Sequence, residues 1–174
     1  MDFFDMITLK TTLIATLLSL AAFTANAHDF KAGDLSIAHP HSFATPPGSK
    51  TAAGYLAITN NGSQPDRLLG IDTNFPRAMI HKSELEDGVM KMTHQKDGVV
   101  IPAGETVTFE PGGLHLMFMG LKGALKEGET ADVTLHFENS GSVPVVFNVE
   151  KRKVTAKATD HSGHGLKKEP IENN

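Results

Sequence analysis

Pro111-Gly-Gly-Leu-His-Leu-Met-Phe-Met-Gly120 is the stretch from which the rest of the chain can be read. With a period of two, Leu114, Leu116 and Phe118 fall on one face of a strand and His115, Met117 and Met119 on the other. One face is core; the other carries an imidazole and two thioethers. Upstream, Met79-Ile-His81 and Met90-Lys-Met92-Thr-His94 repeat the device, with Met and His in phase on short extended segments. Three strands can thus aim soft ligands at one point. Thioether sulfur is a poor ligand for hard cations and imidazole serves copper and zinc, so His and Met without a thiolate point to copper, and to Cu(I) first.

The 174 residues, 40% of them hydrophobic, suit one domain with a full core. There is no cysteine, which excludes a disulfide framework, a thiolate zinc site and the Cys-containing copper site of blue electron-transfer proteins. A formal charge of −4, with no basic stripe, argues against nucleic acid as a partner.

The N-terminus reads as an address. Residues 11–23 are a mostly apolar run of about thirteen, short for a bilayer span, and Thr24-Ala-Asn-Ala27 follows as a small-residue cleavage pattern. Residues 1–27 are therefore expected to be a secretory signal peptide; the alternative is an uncleaved membrane anchor. Asp2 and Asp5 oppose Lys10 in its leading region, and a start at Met6 gives the more usual Met-Ile-Thr-Leu-Lys. Cleavage removes these three charges, leaves a formal charge of −3 and exposes His28, whose free amine and imidazole are a candidate Cu(II) chelate.

Beyond residue 34, short β-rich segments alternate with Gly, Pro and Asn turns: 35–39 ending at Pro40, 52–59, 67–71, the three Met/His segments, 105–109, 131–137 and 143–149. Eight or nine strands with no amphipathic helix predict an all-β antiparallel sandwich or barrel over residues 28–153. Pro144 is expected at a strand start or an edge. Residues 154–174 are polar and charged and are expected to form a disordered tail. Within it, His161-Ser-Gly-His164 offers two imidazoles to Cu(II) or Zn(II).

All five Met beyond residue 27, at 79, 90, 92, 117 and 119, lie in a 41-residue window together with His81, His94 and His115. Chance clustering explains this poorly. Met is also a common gap-filler in cores, and Met79, between Ala78 and Ile80, is read that way. His39, His41 and His136 stand outside the Met-rich strands and are read as structural, and Tyr55 as core or sheet packing.

His81, ten residues, Met92, twenty-two residues, then His115-Leu-Met117 resembles the ligand pattern of the PCu(A)C family of periplasmic copper chaperones. The flanking text is similar too: Ala44-Thr-Pro-Pro-Gly48, Ala53-Gly-Tyr-Leu56, Asp87-Gly-Val-Met-Lys-Met92 and Ile101-Pro-Ala-Gly104. The resemblance covers roughly residues 33–151. It implies a cupredoxin-like β-sandwich that holds Cu(I) near its surface through His81, Met92, His115 and Met117. It further implies a periplasmic monomer, no longer membrane-inserted after cleavage, that hands copper to the CuA domain of cytochrome c oxidase subunit II, with another copper chaperone as a further partner. Ser83 stands where family members often carry one more Met. Met90 and Met119 are candidate auxiliary ligands in its place, and His161, His164 and His28 are candidates for a separate Cu(II) position.

These residue types suit carrying rather than chemistry. Neutral thioethers and imidazoles leave bound Cu(I) singly positive and disfavour Cu(II), which prefers nitrogen and oxygen. They also hold copper in an oxidising compartment without a thiol that disulfide formation would consume. The expectation is a non-enzymatic carrier. A protein that stores or sequesters copper would use the same ligands, and a β-sandwich with a Met-rich core and no metal is the third reading.

Overall fold

The computed structural model describes residues 29–152. The expected signal peptide, His28, and the tail with His161 and His164 lie outside the described residues. Eleven strands follow in order: β1 Phe30–Ala32, β2 Leu35–Phe43, β3 Thr51–Asn60, β4 Asp66–Thr73, β5 Arg77–Glu86, β6 Val89–His94, β7 Val99–Ile101, β8 Thr106–Phe109, β9 Leu114–Met119, β10 Thr130–Phe137 and β11 Gly141–Glu150. They run in the order β6-β5-β9-β3-β2-β11-β10-β4-β7, with β1 on β2 and β8 on β3. Every pairing is antiparallel except that of β11 with β2. β4 and β5 touch, and one hydrophobic cluster joins residues from both halves of the strand order. The sheet is thereby wrapped into two layers, an all-β, cupredoxin-like sandwich.

Alternation in the sequence becomes alternation of environment. Leu116 and Phe118 of β9 are fully buried in the core, while Met117 and Met119 point to the outer face and stay partly exposed. On β3, Gly54 lies on the core side. A Cβ there would stand 2.8 Å from Phe118 and 2.9 Å from Phe147, whose rings meet edge to face at 5.7 Å. Glycine lets two phenyl rings press against the β3 backbone directly behind the outer face.

Several details differ from the expectation. β1 and β7 are three-residue strands, too short to leave a periodic signal. β2 does not stop at Pro40. Its register to β3 shifts between Ala38 and His41, and His39 takes a φ of 49°. This is a β-bulge, one of the few places where a strand tolerates Pro. The extra residue turns Pro40 inward and sends His41 and Phe43 to the outer face. Pro144 lies four residues into β11, where among the described residues β10 is the only strand paired with it, so it does occupy an edge.

His136 is structural: its Nε2 is 2.8 Å from Asp72 Oδ2 and its Nδ1 2.9 Å from Ser142 Oγ, tying β10 to both neighbours. His39 pairs with Glu150 at 2.7 Å. Tyr55 is 6% exposed, yet it packs on the outer face against His41 and Phe43 rather than in the core.

β5 and β6 form a hairpin closed by Asp87 (φ 52°) and Gly88 (φ 78°). Positive φ at both central residues makes the turn type I′, matched to strand twist. β9 accompanies β5 only as far as Lys82, so the hairpin beyond it is a two-stranded ribbon. Lys82 pairs with Glu84 and Lys91 with Glu86 on its surface, while Leu85, Met90 and Met92 are exposed.

Candidate metal centre

The register of three neighbouring strands positions the site. Across β6, β5 and β9, His94, His81 and His115 stand abreast. One rung toward the ribbon tip, Met92 faces Ser83. One rung the other way, Met79 faces Met117, which in turn faces Ala53 of β3. Because side chains two apart on a strand share a face, all of these belong to the outer face. Met79 is therefore not a core residue: Ala78 and Ile80 face the core, and the thioether between them faces outward beside Met117.

Met92, His115 and Met117 line one groove of about 570 Å³, with Phe43 and Tyr55 on its far wall and Arg152 at its rim. Met92 reaches it although β5 lies between, and the β5 residue on its rung is Ser83, small enough to leave the way open. Arg152 sits over the Phe43 ring at 5.0 Å. Burial pushes the Tyr55 phenol pKa up, with Arg152 pulling the other way.

His115 is 7% exposed, and its Nδ1 lies 3.0 Å from the Gly113 carbonyl. A carbonyl only accepts, so Nδ1 carries the proton and Nε2 presents its lone pair, the tautomer of a ligand held by a backbone partner. The His81 ring lies 5.9 Å from that of His115, centroid to centroid. Its Nδ1 is buried with no hydrogen-bond partner, which is costly unless something else satisfies it. Burial first, then His115 and His94, hold its pKa below the usual histidine value, so the ring is neutral and able to ligate. Among the described residues no three of His, Asp and Glu converge as a metal site. A cation between His81 and His115 can draw further on the thioethers of Met92 and Met117, which suit a soft ion.

Of the sequence candidates, His81, Met92, His115 and Met117 are thus brought to one patch. Met90, opposite Leu85, and Met119, opposite Arg77, stand two rungs to either side of the His81 rung. His94 is the site neighbour that was passed over as a ligand. The two-residue Asp87-Gly88 turn could have revealed it, since pairing Glu86 with Val89 sets His81 against His94.

The family model described as "Putative lipoprotein LpqE-like" matches residues 35–149. The chain belongs to the LpqE-like family. As a lipoprotein-family member it is an exported, cell-envelope protein. A relative, "Putative lipoprotein Lxx21020" of Leifsonia xyli subsp. xyli, is 34% identical over 104 residues, 59% of this chain; the match spans 63% of that relative's length. Solved structures similar to this LpqE-like chain include PCuAC domains, the family its sequence resembles. The copper-bound PCuAC domain from PmoF2 is 28% identical, with a TM-score of 0.60, over 72% of this chain and 99% of that domain. The apo PCuAC domain from PmoF1 matches at 28% and 0.61 over 72% and all of that domain. The CuI form of DR1885 from Deinococcus radiodurans matches at 31% and 0.52 over 76% and 87%.

Proposed function

We propose that this protein carries Cu(I) in the periplasm, held by His81, Met92, His115 and Met117, and delivers it to the CuA centre of cytochrome c oxidase subunit II. The observation that supports this most is the buried, unpartnered Nδ1 of His81 beside an imidazole whose Nε2 is free and a groove with two thioethers. Copper-bound forms of two solved relatives support the choice of ion. The role is a carrier's, with neutral donors on strand positions.

Release follows from the same donors. The groove leaves one side open, so an acceptor thiolate can enter and replace one ligand at a time, driven by the preference of Cu(I) for anionic sulfur over thioether. The test is anaerobic Cu(I) titration followed by mixing with an apo CuA-type domain whose cysteines are reduced. Copper should pass to the acceptor, and Met92→Leu and His115→Ala should each weaken Cu(I) binding about tenfold or more while folding is retained. Parent-like Cu(I) binding in both variants would refute the ligand set. No transfer to the acceptor, with copper sensitivity and normal oxidase activity in a deletion strain, would make the protein a store instead.

A further inference from the structure

The proposed Cu(I) site uses two of three imidazoles that stand abreast, and His94 is left over. It is exposed on β6, the last strand of the order, and no hydrogen bond holds its ring among the described residues. Its ring meets that of His81 at 5.4 Å and 65°, closer than the 5.9 Å between His81 and His115. Two imidazoles sharing an ion, each nitrogen about 2 Å from it, keep their ring centres roughly 5–6 Å apart. Both pairs satisfy that. The register sets His94 and His115 on opposite sides of His81, so an ion sits between His81 and one of them, not among all three.

The two positions differ in what completes them. Between His81 and His115 the groove adds Met92 and Met117. Met92, two residues from His94 on β6, lines that groove, so the positions that His81 and His94 leave open face solvent and fall to water. Nitrogen and water oxygen suit Cu(II), as thioether suits Cu(I).

We infer that His81 and His94 form a second copper position, on the solvent edge of the sheet, that takes Cu(II). The inference rests on His81 being a ligand of the proposed Cu(I) site. Since His81 serves both positions, they are alternatives, and the sandwich holds one copper at a time. An oxidised ion arriving from outside then meets a nitrogen pair at the edge, with Met117 two strands away on β9 and Met92 turned into the groove.

The test uses the full chain carrying His161→Ala and His164→Ala, so that tail imidazoles do not compete. Cu(II) is added to the apo protein under anaerobic conditions and read by electron paramagnetic resonance and by chelator competition. His94→Gln should remove one nitrogen coupling and weaken Cu(II) binding about tenfold, leaving Cu(I) affinity within about threefold of the parent. One equivalent of Cu(I) added first should abolish the His94-dependent signal. An unchanged Cu(II) signal and affinity in His94→Gln, or a Cu(I)-loaded protein that still binds Cu(II) through His94, overturns the inference. Failure of the Cu(I) reading shows separately, as parent-like Cu(I) affinity in His115→Ala and Met117→Leu, whatever the Cu(II) result.

Discussion

Met92 and Ser83 face each other across the β5–β6 hairpin, and the smallness of the serine is what lets the methionine reach a groove that starts one strand further on. Ser83 is also bound from its backbone N–H to the Gly113 carbonyl at 3.0 Å, which fixes the rung. Ser83→Phe should keep that backbone bond and the fold but block the path of Met92. The expected result is Cu(I) affinity lowered by about tenfold, comparable to Met92→Leu, with an unchanged melting temperature. Parent-like affinity in a chelator competition would show that Met92 reaches the groove another way.

Gly54→Ala should destabilise the protein by about 1–3 kcal/mol, because the new methyl meets Phe118 and Phe147 below van der Waals distance. Gly70→Ala is the comparison. A Cβ there meets nothing within 4 Å, so reduced freedom of the unfolded chain should leave it neutral or stabilised by up to about 1 kcal/mol. Denaturant unfolding of the two variants separates the effects.

The apo protein should lose stability as the pH falls through the histidine range. The folded His81 imidazole has a lowered pKa, so below the unfolded value of about 6.5 the unfolded chain takes up a proton that the folded chain resists. His81→Gln should flatten the dependence between roughly pH 5 and 7. Melting curves across that range check it, and equal slopes for parent and variant would contradict it.

At lower pH a different group takes over. Asp66 is 6% exposed and accepts bonds from the backbone N–H groups of Arg67, Asn139 and Ser140 and from the Ser140 hydroxyl at 2.6 Å. Burial opposes ionisation, but these four bonds outweigh it and hold the pKa below the usual aspartate value. Its stabilisation is present above the unfolded value and is lost as pH falls through the folded one. Asp66→Ala should cost about 2–3 kcal/mol at neutral pH, and the deficit should shrink in strong acid.

Residues 114–119 announced both layers because one short segment shows a core face and a ligand face together. The donor types were legible for the same reason, since Met and His recur at even spacing on three segments. Alternation says which face a side chain takes but not which rung it shares, and the rung is what sets His94 beside His81 and Ser83 under Met92. Met79 was misread because its neighbours' hydrophobicity was taken for its own environment, although neighbours on a strand face the opposite way. Phe43 and Tyr55 enter the groove through the bulge at His39-Pro40 and the pairing of β2 with β3, which long-range contact alone decides.

Past the Ser83–Gly113 bond, the ribbon that carries Met92 is held by a single line of cross-strand bonds, whereas His115 and Met117 lie on a strand paired on both sides. Opening free energies follow such differences in support, so amides at residues 84–92 should exchange with solvent far faster than those of β9. Fraying of that hairpin would withdraw Met92 from the proposed Cu(I) site without disturbing the sandwich. The protein can therefore loosen its grip on an ion at a small fraction of the energy needed to unfold, and an acceptor that binds the frayed ribbon would set the moment at which it does so.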